Sequence, residues 1–188
     1  MKIEYLGHSC FRLNEEIVID PYKDGSVPGL KPLRISSKRV ICSHEHADHS
    51  GRECVEILPG ECSFDVKEVP SFHDDRGGAL RGPNTIFVIT STSGEKIVHL
   101  GDLGHYPNGE QLAAISDADY LLIPVGGYYT IDAEVAVRIC EACRPKCIIP
   151  MHYRTVSSGY PELAAVDEFL KLVEEAGILD KVKVVEKA

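Results

Sequence analysis

Two short, almost uninterrupted apolar runs, residues 120–125 and 146–149, constrain the fold most, and a segment of helical periodicity at 132–143 separates them. A strand that is apolar on both faces must be covered on both faces, so these runs predict strands of a sheet buried on both faces, with further layers against either side. The first half of the chain carries more strand-like runs, at 2–6, 10–13, 17–19, 39–42, 66–69, 85–90 and 96–100, punctuated by Gly, Pro, Asn and Asp, and a last run lies at 182–185. Helical periodicity appears at 108–115, at 132–143 and most regularly at 161–176. In that last segment Leu163, Val166, Leu170 and Val173 share a face, Pro161 sits at a favoured first-turn position and Gly177 at a favoured stop. The pattern predicts a sheet core with helices packed outside it, an α/β or α+β layered domain.

No repeat or long linker divides the 188 residues, so they read as one domain spanning 1–188, with 23–38 as a long surface loop. Acidic side chains outnumber basic ones 29 to 20, a net charge of −9, which argues against a nucleic-acid partner because affinity for phosphate backbone comes largely from Lys and Arg. A local basic pocket stays compatible with that balance. No run approaches the roughly 18–20 apolar residues of a membrane span, and the N-terminus lacks the uncharged core of a signal peptide. The seven cysteines, an odd number scattered from 10 to 147, suit a reducing compartment. A cytoplasmic protein without membrane insertion is the expectation. Cys140 and Cys143 lie one helical turn apart, but Pro145 ends that helix before Cys147, so all three read as small buried hydrophobes.

The histidines carry the chemical information. His44, His46 and His49 fall within six residues, with Asp48 among them, directly after the apolar residues 40–42. A loop at a strand end can turn His44 and His46 toward one point and Asp48 and His49 toward a neighbouring one, so that imidazole and carboxylate ligands converge on two adjacent cations. Two cations need more ligands, and His73, Asp102 and His152 each follow a strand-like run, where a sheet places loop-borne chemistry. Clustered His and buried Asp are costly without a metal. His99, inside a strand pattern, and His105, after Gly104, read instead as ordinary core and loop histidines.

HxHxDH at 44–49, then His73, Asp102 after Gly101, and His152, in that order, resemble the metallo-β-lactamase superfamily. The resemblance implies an α+β fold, a four-layer αββα sandwich with two metals at one edge of the paired sheets. Carried over by motif, His44, His46 and His73 hold one metal, Asp48, His49 and His152 the other, and Asp102 bridges both. Gly7-His8-Ser9, Ile19-Asp20-Pro21, the stretch from Val125 to Asp132 and Pro150-Met151-His152-Tyr153 resemble the branch of ascorbate-6-phosphate lactonase-like and N-acyl-phosphatidylethanolamine phospholipase D-like hydrolases. His46 stands where di-iron flavoprotein relatives carry Glu, which favours Zn2+ over oxygen chemistry, with Mn2+ or Fe2+ as the other divalent candidates. The chain has no room for the large inserted domain of nucleic-acid-cleaving relatives.

The implied activity is metal-dependent hydrolysis of a small ester-type substrate, a phosphodiester or a lactone, with thioester hydrolysis and a non-catalytic metal-binding or sensor protein as alternatives. Two adjacent cations can acidify a shared water and polarise the electrophile. Asp48 is then a ligand and a candidate general base. Asp20, Glu45 and Asp74 are candidates to fix the ligand imidazoles through their second nitrogens. His8, Tyr128 and Tyr129 are candidates for groups near the substrate, donating to a developing oxyanion. Arg76 and Arg81 lie in the flexible stretch 75–84: either they bind a phosphate or carboxylate tail, which would make the small-molecule substrate anionic, or the stretch is a hairpin turn with solvated charges. Homo-oligomerisation stays open.

Overall fold

In the computed structural model, which describes residues 1–188, strands come first and helices late. The strands are Ile3–Gly7 (β1), Cys10–Leu13 (β2), Ile17–Ile19 (β3), Ile35–Ser37 (β4), Arg39–Ile41 (β5), Val55–Ile57 (β6), Asp65–Phe72 (β7), Pro83–Thr90 (β8) and Lys96–His99 (β9). After them come helix Gly109–Ile115 (α1), strand Tyr120–Pro124 (β10), helix Ala133–Cys143 (α2), strand Cys147–Met151 (β11) and helix Val166–Glu175 (α3). One sheet runs β1-β2-β3-β5, a second runs β11-β10-β9-β8-β7, and β4 and β6 pair as a small parallel ribbon.

Period-two alternation decides which layer each side chain joins. In β8, Phe87 and Ile89 face the first sheet, where they meet Phe11, Leu13, Ile17 and Ile19 in a buried cluster; Ile86 and Val88 face the other way, into the core beneath the helices. Strand β10 repeats the division, with Leu122 between the sheets and Leu121 and Ile123 toward α2 and α3. The two apolar runs are neighbouring strands buried on both faces, β10 inside the sheet and β11 at its edge, paired in parallel, with β9 extending the parallel part of the sheet.

Helix α2 starts where Asp132 accepts the Val135 N–H at 2.9 Å and stops at Arg144, left-handed at φ 49°, before Pro145. Helix α3 starts five residues later than its periodicity predicts. The backbone at 164 is committed elsewhere, Ala164 N–H donating to the Gly126 carbonyl and its own carbonyl accepting from Arg154, which leaves Pro161 in an irregular turn and Ala165 at the N-cap. No strand forms at 182–185; Val182 makes an isolated bridge to Ile148.

The outer face of the first sheet carries no α-helix. Segment 22–34 buries Tyr22, Val27 and Leu33 against Cys10 and Val18, with the β4–β6 ribbon beside it. The Gly and Pro residues of 23–38 preclude a helix there, so the fourth layer is loop and ribbon, and β4 is a strand inside what reads as surface loop. No helix is long and apolar enough to cross a membrane.

Candidate metal centre

Loops after β5, β7, β9 and β11 bring His44, His46, Asp48, His49, His73, Asp102 and His152 together at one edge of the paired sheets. Asp102 is the hub. Its Oδ2 lies 3.1 Å from His49 Nε2, 3.1 Å from His73 Nε2, 3.2 Å from His152 Nε2 and 3.9 Å from His44 Nε2. Potential ligand atoms fall into the groups His44, His46, His73 and His8, Asp48, His49, His152, with His44, His49 and Asp102 joining them. His44 Nε2, His49 Nε2 and Asp102 Oδ1 are buried without a hydrogen-bond partner, a costly arrangement in apolar surroundings and the expected one for atoms that face a cation. The donor set of imidazole and carboxylate suits zinc and neighbouring divalent ions.

Local backbone makes the convergence possible. Gly101 is left-handed at φ 56°, and a Cβ there would stand 2.3 Å from Asn84 Oδ1 and 2.7 Å from Ser43 Cβ, so only glycine lets the chain turn into Asp102. Asn84 then accepts the Asp102 N–H at 2.9 Å and donates to the Leu100 carbonyl at 3.0 Å. At Gly126 a Cβ would come within 2.1 Å of the His152 carbonyl oxygen. His152 itself, at φ 53°, donates its N–H to the His8 carbonyl and ties the two sheets at this edge.

Asp20 fixes the ligand loop from behind. Its fully buried carboxylate accepts from Ser43 N–H and Ser43 Oγ, each at 2.6 Å, and from His49 Nδ1 at 2.9 Å. Burial opposes its ionisation, but the His49, His99 and His44 imidazoles around it hold the carboxyl below its ordinary range. His49 lies between two carboxylates, and burial notwithstanding, Asp102 and Asp20 raise its pKa well above the usual histidine value. Burial, then the neighbouring imidazole His49, pushes His44 down to about 3. Histidine ligates metal as the neutral ring, so a cation held here would keep His44 and His49 alike in that form.

The other candidates separate. His8 is buried behind Asp48, its Nε2 3.1 Å from Asp48 Oδ2, rather than on a wall that substrate can touch. Burial and then His152 lower its pKa to about 4. Burial raises the Asp48 carboxyl, but His8 and His49 outweigh that and hold it well below the carboxylate range. Tyr128 is a correction: at φ 57° and 65% exposed, its side chain turns to solvent, and Tyr129 takes the inward position. Glu45 is exposed and paired with Arg52, so it supports no imidazole. Asp74 instead accepts the backbone N–H groups of Arg76, Gly78, Leu80 and Arg81, each at 2.8 Å, and so organises its own loop. His99 bonds the Ser9 carbonyl and the Gly101 N–H as a core residue, and Cys140 and Cys143 pack under the helices. His105 lies in a loop and accepts the Phe72 N–H.

A cavity of about 310 Å3 opens over the ligand cluster, lined by His46, Asp48, His73, Asp102 and His152 together with Arg81, Tyr129 and Tyr160. Its volume is at the small end for ligand sites. Tyr160, Asn84 and Ser43 have no spacing that marks them in the sequence; each is brought in by a loop or a strand start. A larger cleft of about 980 Å3 lies away from this edge, and its Arg12 and Arg34 are paired with Glu4 and Asp24.

Fold and ligand cluster together define a metal-dependent hydrolase of the metallo-β-lactamase superfamily, and the chain belongs to that superfamily: its β-lactamase superfamily domain matches residues 2–152. Within it, the relatives are UPF0173 metal-dependent hydrolases. One from Carboxydothermus hydrogenoformans is 30% identical over 97% of this chain and 96% of its own length, and one from Thermoplasma acidophilum is 30% identical over 82% and 84%. Among solved structures, a candidate zinc-dependent hydrolase of the superfamily from Thermotoga maritima is 34% identical, covering 90% of this chain and 84% of its own, with a TM-score of 0.69. The metallo hydrolase Igni18 from Ignicoccus hospitalis shares the fold at a TM-score of 0.75 and 24% identity, over 99% and 95% of the two chains.

Proposed function

We propose that the chain hydrolyses a small ester-type substrate, phosphodiester or lactone, with two divalent cations, zinc the favoured ion. His44, His46 and His73 would hold one, Asp48, His49 and His152 the other, and Asp102 would serve both. The observation that carries this reading is the Asp102 carboxylate, with one oxygen amid four imidazole Nε2 atoms and the other buried without a partner. When bound, such a pair supplies a water acidic enough to ionise near neutral pH and a Lewis acid for the electrophile's oxygen.

The chain's own groups do the rest. Asp48 is fixed by His8 Nε2, which leaves its carboxylate directed as a ligand more than as a free base. Asp20 accepts from His49 Nδ1 and thereby keeps the lone pair of His49 on Nε2, the atom that faces Asp102. Tyr129 and Tyr160 line the cavity and offer a substrate aromatic surface. The test is elemental analysis of the purified chain together with hydrolysis of a chromogenic phosphodiester and a simple lactone, each with and without chelator. Near two divalent ions per chain and chelator-sensitive turnover of either substrate are expected. One ion or none after loading refutes the two-cation centre, and two ions without turnover of either ester favours a metal-binding or sensor protein.

A further inference from the structure

The cavity over the ligand cluster is lined by one side chain with a permanent positive charge, Arg81. No carboxylate oxygen lies within 4.0 Å of its guanidinium; Arg39, Arg76, Arg138 and Arg154 also lack an ion pair, but of these five Arg81 alone lines the cavity over the ligand cluster, while Arg12, Arg34, Arg52 and Arg144 are each ion-paired. Nor does it serve the ligand carboxylates, since Asp48 is held by His8 and Asp102 by the imidazoles around it. A half-buried guanidinium that faces a cavity without a counter-ion is a binding group without its ligand.

Its position is set in advance from two sides. The Asp74 carboxylate gathers the loop by accepting four backbone N–H groups, and that of Arg81 itself is one of them. From the other side, Arg81 Nη2 donates to the Tyr128 carbonyl at 3.1 Å and the guanidinium carbon stands 5.7 Å from the centre of the Tyr129 ring. One of five guanidinium N–H groups is used, so four remain for a ligand. Tyr129 and Tyr160, edge to face at 5.7 Å, give the carbon skeleton of that ligand an aromatic surface between Arg81 and the ligand cluster.

We propose that Arg81 is an oxyanion subsite, and that the substrate is an ester carrying a phosphate or carboxylate tail remote from the bond that is cleaved. This rests on the ester-hydrolase reading above and specifies its substrate class. Asp74 is a positioning residue for the subsite. The acidic chain, at −9 overall, repels anions at long range, so recognition of the tail is a short-range property of this guanidinium.

The experiment uses the metal-loaded full chain and three esters of matched size, with a neutral, a carboxylate and a phosphate-monoester tail. The unaltered protein is expected to prefer an anionic tail in kcat/KM, the better of the two anions naming the natural group. In Arg81→Ala that preference over the neutral ester falls at least tenfold, mainly through KM, and Arg81→Lys recovers part of it, since a point charge replaces the bidentate fork. No anionic preference in the unaltered protein, or equal losses for all three esters in Arg81→Ala, overturns the proposal. If no ester is hydrolysed at all, the ester reading fails, and the subsite is tested by calorimetry with benzylphosphonate and phenylacetate. An affinity at least tenfold weaker in Arg81→Ala at equal metal content sustains the subsite, and equal affinities end it.

Discussion

Asp20→Asn separates the role of a supporting carboxylate from that of the ligands. The fully buried carboxylate accepts three hydrogen bonds, and asparagine keeps the shape while supplying one acceptor and an NH2 group. The amide oxygen can still take the Ser43 N–H, but the NH2 then faces Ser43 Oγ and His49 Nδ1. His49 satisfies it by moving its proton from Nδ1 to Nε2, the atom 3.1 Å from Asp102 Oδ2. A protonated Nε2 cannot ligate a cation. Loss of such a supporting partner typically costs 10–100-fold in metal affinity, about 1.4–2.8 kcal/mol. The effect on the fold is smaller in net terms, because weakening two charge-assisted bonds, by roughly 1 kcal/mol each, is offset by no longer burying a charge. Competitive titration with a chromophoric chelator, with the melting temperature measured in parallel, should show one cation bound as before and the second weakened 10–100-fold. Two cations bound with unaltered affinity would refute the tautomer argument.

Asp102→Ala removes the group amid four imidazoles, and elemental analysis should find the protein depleted of both cations, where retention of two would contradict the assigned hub. Gly126→Ala sets a methyl group against the His152 carbonyl, and should lower both the melting temperature and the affinity for the cation at His152; wild-type values for both would argue that the loop relaxes freely. Leu122→Ala opens a cavity between the sheets, away from the ligand loops, so denaturant unfolding should register a loss of about 2–5 kcal/mol. Cations per folded chain should stay the same in that variant.

Much of the fold is legible from local rules. The strand runs of the first half, the apolar strands around 120–125 and 146–149, and helix α2 with Asp132 and Pro145 at its ends follow from alternation, burial and capping, which act over a few residues. The ligand residues are legible for a different reason: histidines and aspartates after strand ends carry a cost that metal chemistry removes. Legibility fails where a distant backbone competes. Pro161 and Leu163 satisfy a helical pattern, yet Ala164, donating to the Gly126 carbonyl and accepting from the Arg154 N–H, is held outside the helix. Residues 35–37 become a strand only because 55–57 lie alongside.

The site divides along the same line. The sequence by itself determined the chemistry available, imidazoles and carboxylates in a fixed order along a chain whose alternation allows two packed sheets, because residue type and periodicity are properties of the chain alone. Only the tertiary structure decided which atoms face one another. It put Asp102 Oδ2 among the Nε2 atoms, Asp20 rather than Glu45 or Asp74 behind His49, Tyr129 rather than Tyr128 in the cavity, and Arg81 in the same cavity as the ligands without a counter-ion. Those choices depend on the direction in which each loop leaves its strand, and that direction is set by close approaches such as Gly101 against Asn84 and Gly126 against His152, between segments far apart along the chain.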